Sequence, residues 1–153
     1  MELLIVCAII GLLLCGSVPA FRESFRSAAL RRAARDVCVT LRYARERAVS
    51  EEWGYVVRFE KDSNRCRLIR VTAPSDPGSG SNDDARGRLD LPKEVAIEES
   101  SYPMTAEGFY VAFYPDGSAD EGDILLGAPG GEKRETATIR ITGLTGGVGL
   151  EGA

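Results

Sequence analysis

ELLIVCAIIGLLLCGSVPAF, residues Glu2 to Phe21, decides how the rest of this chain is read. Between Leu3 and Val18 there is no charged side chain, so a helix formed here presents hydrocarbon on every side. A helix needs about 20 residues to span a bilayer, and Met1 to Phe21 reaches that length. The expectation is an N-terminal helix embedded in a membrane. A secretory signal peptide needs a basic start and a small-residue cleavage site, and only Val18-Pro19-Ala20 loosely fits the second requirement. A lipoprotein signal places its cysteine after a small residue, whereas Cys15 follows Leu12-Leu13-Leu14. A plain anchor accounts for the hydrophobicity but not for Glu2, because a carboxylate at the edge of hydrocarbon is costly unless another group partners it.

Working outward, the polarity changes after Pro19 while the helical period continues. Leu30, Ala33, Ala34, Val37, Leu41, Ala44 and Ala48 recur at three- and four-residue steps, and Arg31, Arg32, Arg35, Arg42, Arg45 and Arg47 fill much of the remaining surface. The pattern predicts one long helix from near Glu2 to about Glu52, bent near Pro19 and ended by Gly54. Its apolar stripe should lie against a sheet. Trp53, between helix and first strand, reads as a core plug.

Everything downstream alternates like strand. Tyr55 to Phe59 and Arg67 to Val71 flank a polar turn at Lys61-Asp62-Ser63-Asn64 and read as a hairpin. Residues 73–88, APSDPGSGSNDDARGR, hold no apolar period and read as a loop. Leu89 to Ile97 offers short extended pieces broken at Pro92. Phe109 to Tyr114 is a strong strand closed by the Pro115-Asp116-Gly117-Ser118 turn. Ile124 to Leu126, Thr136 to Thr142 and a short piece around Val148 and Leu150 complete the set. One helix followed only by strands is an α+β layout in which a sheet closes over the helix stripe.

These residues carry a resemblance. Glu2-Leu3-Leu4-Ile5-Val6, Ala8-Ile9-Ile10-Gly11 and Val18-Pro19 with its following aromatic resemble, in register, the N-terminal helix of type IV pilins and pseudopilins. Ala34-Arg35-Asp36 with Leu41 to Ser50, the Phe113 to Ser118 turn and the Ile139 to Gly146 tail are similar to the H-type minor pseudopilins of type II secretion and related minor pilins. The resemblance implies a pilin-like fold with residues 1–21 as the transmembrane and filament-core half of the helix. Residues 22–153 then form a periplasmic domain that includes the second half. It implies a structural, non-enzymatic role in a secretion pseudopilus of the bacterial inner membrane, with other pseudopilins as partners. The alternative is a type IV pilus minor pilin acting in assembly initiation or DNA uptake. For Glu2 it implies a partner, the methylated N-terminal amine of a neighbouring subunit. It also implies a basic leader ending in glycine upstream of Met1. Such a leader would override Arg22, Arg26, Arg31 and Arg32, which the positive-inside rule alone would hold in the cytoplasm.

Composition narrows the chemistry. About 130 residues remain beyond the apolar run, enough for one domain with a core. The net charge is −4, and Gly143 to Ala153 contains no Lys or Arg, so a nucleic-acid partner is not expected. There is no histidine, hence no Ser-His or Cys-His pair, and no GxSxG or P-loop pattern; neither enzyme activity, cofactor nor small-molecule substrate is expected. Cys7 and Cys15 fall in the apolar run. Cys38 and Cys66 lie beyond it, as a disulfide or as two buried free thiols. Asp116, Ser118, Asp120 and Asp123 are spaced like calcium ligands. The full loop pattern fails, because Glu121 stands where glycine is needed and Gly127 where a bidentate glutamate is needed, and an acidic hairpin turn is the competing reading.

Overall fold

The computed structural model describes residues 2–61, 63–72, 87–129 and 135–152; within the helix, the side chains of residues 2–5, 7–9 and 11–23 fall outside the description. A single helix, α1 (Glu2–Glu51), runs through Gly11, Gly16 and Pro19 without interruption. The strands follow as β1 (Gly54–Glu60), β2 (Arg65–Val71), β3 (Arg88–Asp90), β4 (Ala96–Ser100), β5 (Gly108–Phe113), β6 (Gly122–Gly127), β7 (Thr136–Thr142) and β8 (Gly147–Glu151). The side chains of Glu2, Cys7, Cys15 and Pro19 lie outside those described, as do Asp62 and most of the expected loop at 73–88. Among the described residues no helix is long and apolar enough to cross a membrane. Of the side chains between Glu2 and Phe21 only those of Val6 and Ile10 are described, and both are exposed.

The strands form two antiparallel sheets rather than the single one expected. One has the order β3-β2-β1-β5 and the other β4-β6-β7-β8. Ala119 joins them: it bridges Phe113 at the end of β5, and its amide donates to the carbonyl of Gly143 just beyond β7, at 2.8 Å. Residues between β5 and β6 therefore carry the chain from one sheet to the other, and both sheets can lie against the same helix.

The helix stripe is where the sequence placed it. Leu30, Ala33, Ala34, Val37, Cys38, Leu41, Ala44 and Ala48 are all buried, in one core with Tyr55, Val57 and Phe59 of β1, Phe109, Val111 and Phe113 of β5, and Ile124, Leu126, Ile139 and Ile141 of β6 and β7. Four alanines in this stripe keep the helix surface flat, so its backbone comes close to strands on both sides. Phe59 and Phe109, cross-strand partners, stack with ring centroids 4.7 Å apart, and Tyr102 lies parallel to Phe109 at 6.0 Å. The Tyr102 hydroxyl donates to the carbonyl of Asp120 at 2.9 Å, which satisfies the polar end of a buried ring. A second, smaller cluster of Val56, Ile69, Val71 and Ala112 lies on the opposite face of the first sheet, flanked by Tyr110 and Tyr114. Burial does not alternate over Tyr55, Val56 and Val57, because both faces of β1 are covered there, one by each cluster.

Two expectations at the helix end need correction. Gly54 does not stop the helix; Glu52 does, by taking the left-handed conformation at φ 56°, while Gly54 already belongs to β1. Trp53 is not a core plug. It is 44% exposed, and the Arg70 guanidinium lies over its ring at 5.2 Å from the centroid. The reversal at Glu52 places Trp53 outside the core, and the neighbouring Tyr55 fills that space instead. The Tyr55 hydroxyl donates to Glu51, and burial with that carboxylate beside it pushes its pKa up to about 12.

Leu41 is fully buried at the middle of the stripe. Leu41→Asp should cost on the order of 4 kcal/mol or more, a large part of the roughly 5–15 kcal/mol that holds a domain folded. Thermal unfolding followed by circular dichroism would read it, and an unchanged midpoint would show that the stripe is not core. Glu52→Gly should act in the opposite direction, stabilising by about 1 kcal/mol, since glycine adopts the left-handed conformation without the Cβ penalty. A lowered midpoint would mean that the Glu52 side chain matters more than its backbone strain.

Candidate functional site

The surface best built for a task is the arginine-bearing side of α1 and the loops that clasp its C-terminal turns. Opposite the buried stripe the helix exposes Phe25, Ala28, Arg31, Arg32, Arg35, Val39, Arg42 and Glu46. Along this face the arginines divide into two groups. Arg42 and Arg45 are fastened to the domain: Arg42 Nη2 donates to the carbonyl of Val148 in β8 at 2.8 Å, and Arg45 Nε donates to the carbonyl of Gly117 at 3.2 Å. Arg47 pairs with Glu51 at 2.8 Å, one helical turn on, and lies over the Tyr43 ring. Arg31, Arg32 and Arg35 make no ion pair among the described residues and project into solvent.

The clasp depends on two glycines. Gly117 sits at φ 85° in the β5–β6 turn, and Gly146 at φ 57° in the β7–β8 turn. A Cβ on Gly146 would lie 2.4 Å from the Gly117 carbonyl oxygen and 2.9 Å from Arg45, so the two turns meet over the helix only because this position carries no side chain. At the tip of the second turn Leu144 is 93% exposed, and Val49, beside Gly117 on the helix, is exposed as well.

The four calcium candidates do not converge. Asp116 Oδ1 accepts from the Ser118 amide at 2.9 Å and from its hydroxyl at 2.6 Å, closing the turn on itself. Those hydrogen bonds hold the Asp116 carboxyl below the usual carboxylate range. Asp120 accepts from the Tyr114 hydroxyl at 3.0 Å. Asp123 pairs with Arg140 at 3.0 Å on the second sheet, and Arg140 also reaches Glu151 at 2.9 Å. Each carboxylate has its own partner, and among the described residues no group of three or more acidic or cysteine side chains is placed to hold a metal ion.

Cys38 and Cys66 are both buried free thiols. Burial pushes both pKa values up, in Cys38 against the opposing pull of Arg42. A thiol held protonated and out of water is a poor nucleophile, so these two behave as small core side chains. Glu2 heads the helix, and its side chain lies outside those described. What sequence reasoning missed is the clasp itself. The signal was present as Gly117 and Gly146 in two turns and arginine at positions 42 and 45, but only the fold brings those positions together.

No family model and no curated protein matches this sequence. Solved structures do. The minor pseudopilin EpsH from the type 2 secretion system of Vibrio cholerae superposes with a TM-score of 0.62 at 16% identity, over 80% of this chain and 96% of that one. GspH of E. coli gives 0.61 at 17% identity, over 82% of this chain and 89% of that one. The type IV minor pilin FimU of Pseudomonas aeruginosa gives 0.60 at 20% identity, covering 80% and 87% respectively. One long N-terminal helix laid against antiparallel sheets, as in these three proteins, gives this chain the pilin-like fold of minor pseudopilins and minor pilins.

Proposed function

We propose that this chain is a structural subunit of a pilin-like filament, and specifically a minor pseudopilin of a type II secretion pseudopilus. One observation carries the reading: a helix headed by Glu2 and an uncharged run passes without a break into the core of a pilin-like domain. The fold alone would suit many roles. Joined to that run, it suits a subunit that is stored in a membrane and moved into a filament.

The physical argument separates the helix at about Arg22. Residues 1–21 form the single-pass inner-membrane anchor, and residues 22–153 the domain on the periplasmic side, whose own core starts at Leu30. In the filament the apolar half would leave lipid and pack among like helices. It exchanges one apolar surrounding for another, so the transfer carries little net hydrophobic cost. Glu2 is the group that gains, since a carboxylate poorly served by lipid would meet the N-terminal amine of a neighbouring subunit. The partners are thus other pseudopilins, and the role is structural rather than catalytic. A type IV pilus minor pilin is the second reading, favoured by the FimU likeness, whose TM-score is close to those of the pseudopilins.

Glu2→Leu should leave the chain in the membrane but weaken its entry into the filament. Co-purification of the full chain with its sibling subunits reads this, and normal recovery of Glu2→Leu would overturn the role given to the carboxylate. Removal of the chain from its host should block release of secreted proteins across the outer membrane. Intact secretion with loss of surface pili would move the assignment to the pilus.

A further inference from the structure

We propose that the solvent-facing collar of α1, from Phe25 to Arg35, is a docking surface for anionic phospholipid headgroups that holds the domain against the membrane before the subunit is drawn into a filament. The inference rests on the anchor role proposed above for residues 1–21 and adds a second, electrostatic attachment outside the bilayer core.

The first observation is charge. Between Arg22 and Arg35 the sequence holds five arginines and one glutamate, a net +4 in a chain whose total is −4, so the rest of the chain carries −8. A molecule so divided orients itself at an anionic surface, with the basic segment drawn in and the remainder repelled. Three of the collar arginines are also available. Arg31, Arg32 and Arg35 are exposed and make no ion pair among the described residues, whereas Arg42 and Arg45 farther along are spent on the carbonyls of Val148 and Gly117.

The second observation is position. The collar belongs to the same uninterrupted helix as the apolar run that ends at Phe21. At 1.5 Å per residue, Phe25 and Arg26 stand about 6 to 7.5 Å beyond Phe21, Arg31 and Arg32 about 15 to 16.5 Å, and Arg35 about 21 Å. The headgroup layer on each side of a bilayer is roughly 5–7 Å thick, so Phe25 and Arg26 lie at its outer boundary. Helical side chains lean toward the N-terminus, which here is toward the membrane, and helix tilt lowers the next turns further. Arg31 and Arg32 thereby come within a Debye length, about 8–10 Å, of the phosphates, and Arg35 adds longer-range attraction. Phe25, 69% exposed, supplies the aromatic ring that favours such an interface.

Glu94 is the opposing group. It faces Phe25, Arg26 and Ala29 across an open cleft of about 450 Å³ and places a carboxylate beside the collar. It limits the attraction, and its removal should strengthen it.

The test uses the full chain in vesicles, with a single reporting indole: Ala28→Trp on the exposed collar in a Trp53→Phe background. Quenching by a nitroxide carried on the lipid headgroup reads the distance of position 28 from the surface. Each arginine held near an anionic leaflet favours the docked state about fivefold, so two engaged arginines should shift it about 25-fold. Quenching is expected to be clearly stronger in vesicles containing phosphatidylglycerol than in phosphatidylcholine alone. The difference should vanish in about 0.5 M salt, where screening is short-ranged, and in Arg31→Gln/Arg32→Gln/Arg35→Gln, and should grow in Glu94→Gln. Equal quenching in the two lipids would overturn the proposal. So would quenching that depends on the ratio of protein to lipid and not on lipid charge, which would assign the collar to contact with another subunit. Resistance of the chain to alkaline carbonate extraction reads the anchor separately, so failure of the collar and failure of the anchor give different results.

Discussion

Burial of a flat, alanine-rich helix stripe against two sheets is the constraint on which the rest of the structure depends. Leu30, Val37 and Leu41 supply the bulk, and Ala33, Ala34, Ala44 and Ala48 supply the close approach. Neither sheet has another helix to cover its inner face among the described residues, and strands as far apart as β1 and β7 share one core with α1. The connection at Ala119 follows from the same requirement. Two four-stranded sheets sharing one helix must be bridged near that helix, and Ala119 does this with one bridge to Phe113 and one hydrogen bond from its amide to Gly143.

Charge is sorted along the helix by the same geometry. Where the domain is wide enough to reach around α1, arginines are turned inward to backbone carbonyls, as at Val148 and Gly117. Such bonds are charge-assisted and engage one carbonyl of the edge strand β8 and one of the β5–β6 turn. Nearer the N-terminus no carbonyl among the described residues accepts from Arg31, Arg32 or Arg35, and these three are exposed. One residue type therefore serves as an internal fastener at one end of the helix and as an external charge at the other. The difference lies in what the fold brings near, since helical period and composition hardly change between Arg31 and Arg47.

Much of this was legible in the sequence, and the misses have two causes. The helix stripe, the β1–β2 hairpin and β7 were readable because their signals are local: a three-to-four period, two alternating runs around a polar turn, and Ala137, Ile139 and Ile141 against Thr138 and Arg140. The division into two sheets was not, because pairing of β1 with β5 or of β4 with β6 joins segments that no local pattern relates. The oxygens of Asp116, Ser118, Asp120 and Asp123 illustrate the same limit. Spacing alone left calcium ligation and an acidic hairpin turn side by side, and it could not tell that Asp123 pairs with Arg140 and Asp120 with Tyr114. Trp53 failed for a different reason. A single left-handed residue, Glu52, turned the chain so that the largest apolar side chain in the sequence left the core, and nothing in residue type at position 52 announces that turn.

The pilin-like fold also sets what can and cannot be coupled along α1. Side chains from Leu30 onward are fixed by the domain core, so that part of the helix cannot rotate or slide without breaking contacts to both sheets. The uncharged run before it is read by composition alone, and hydrocarbon on all sides has no preferred rotation in lipid. Any direction it acquires must come from groups at its two ends, Glu2 on one side and the arginine collar on the other. In the role proposed above, such a subunit would take its orientation from the two ends of the apolar run, and the same helix would serve two apolar surroundings without a change in the folded domain.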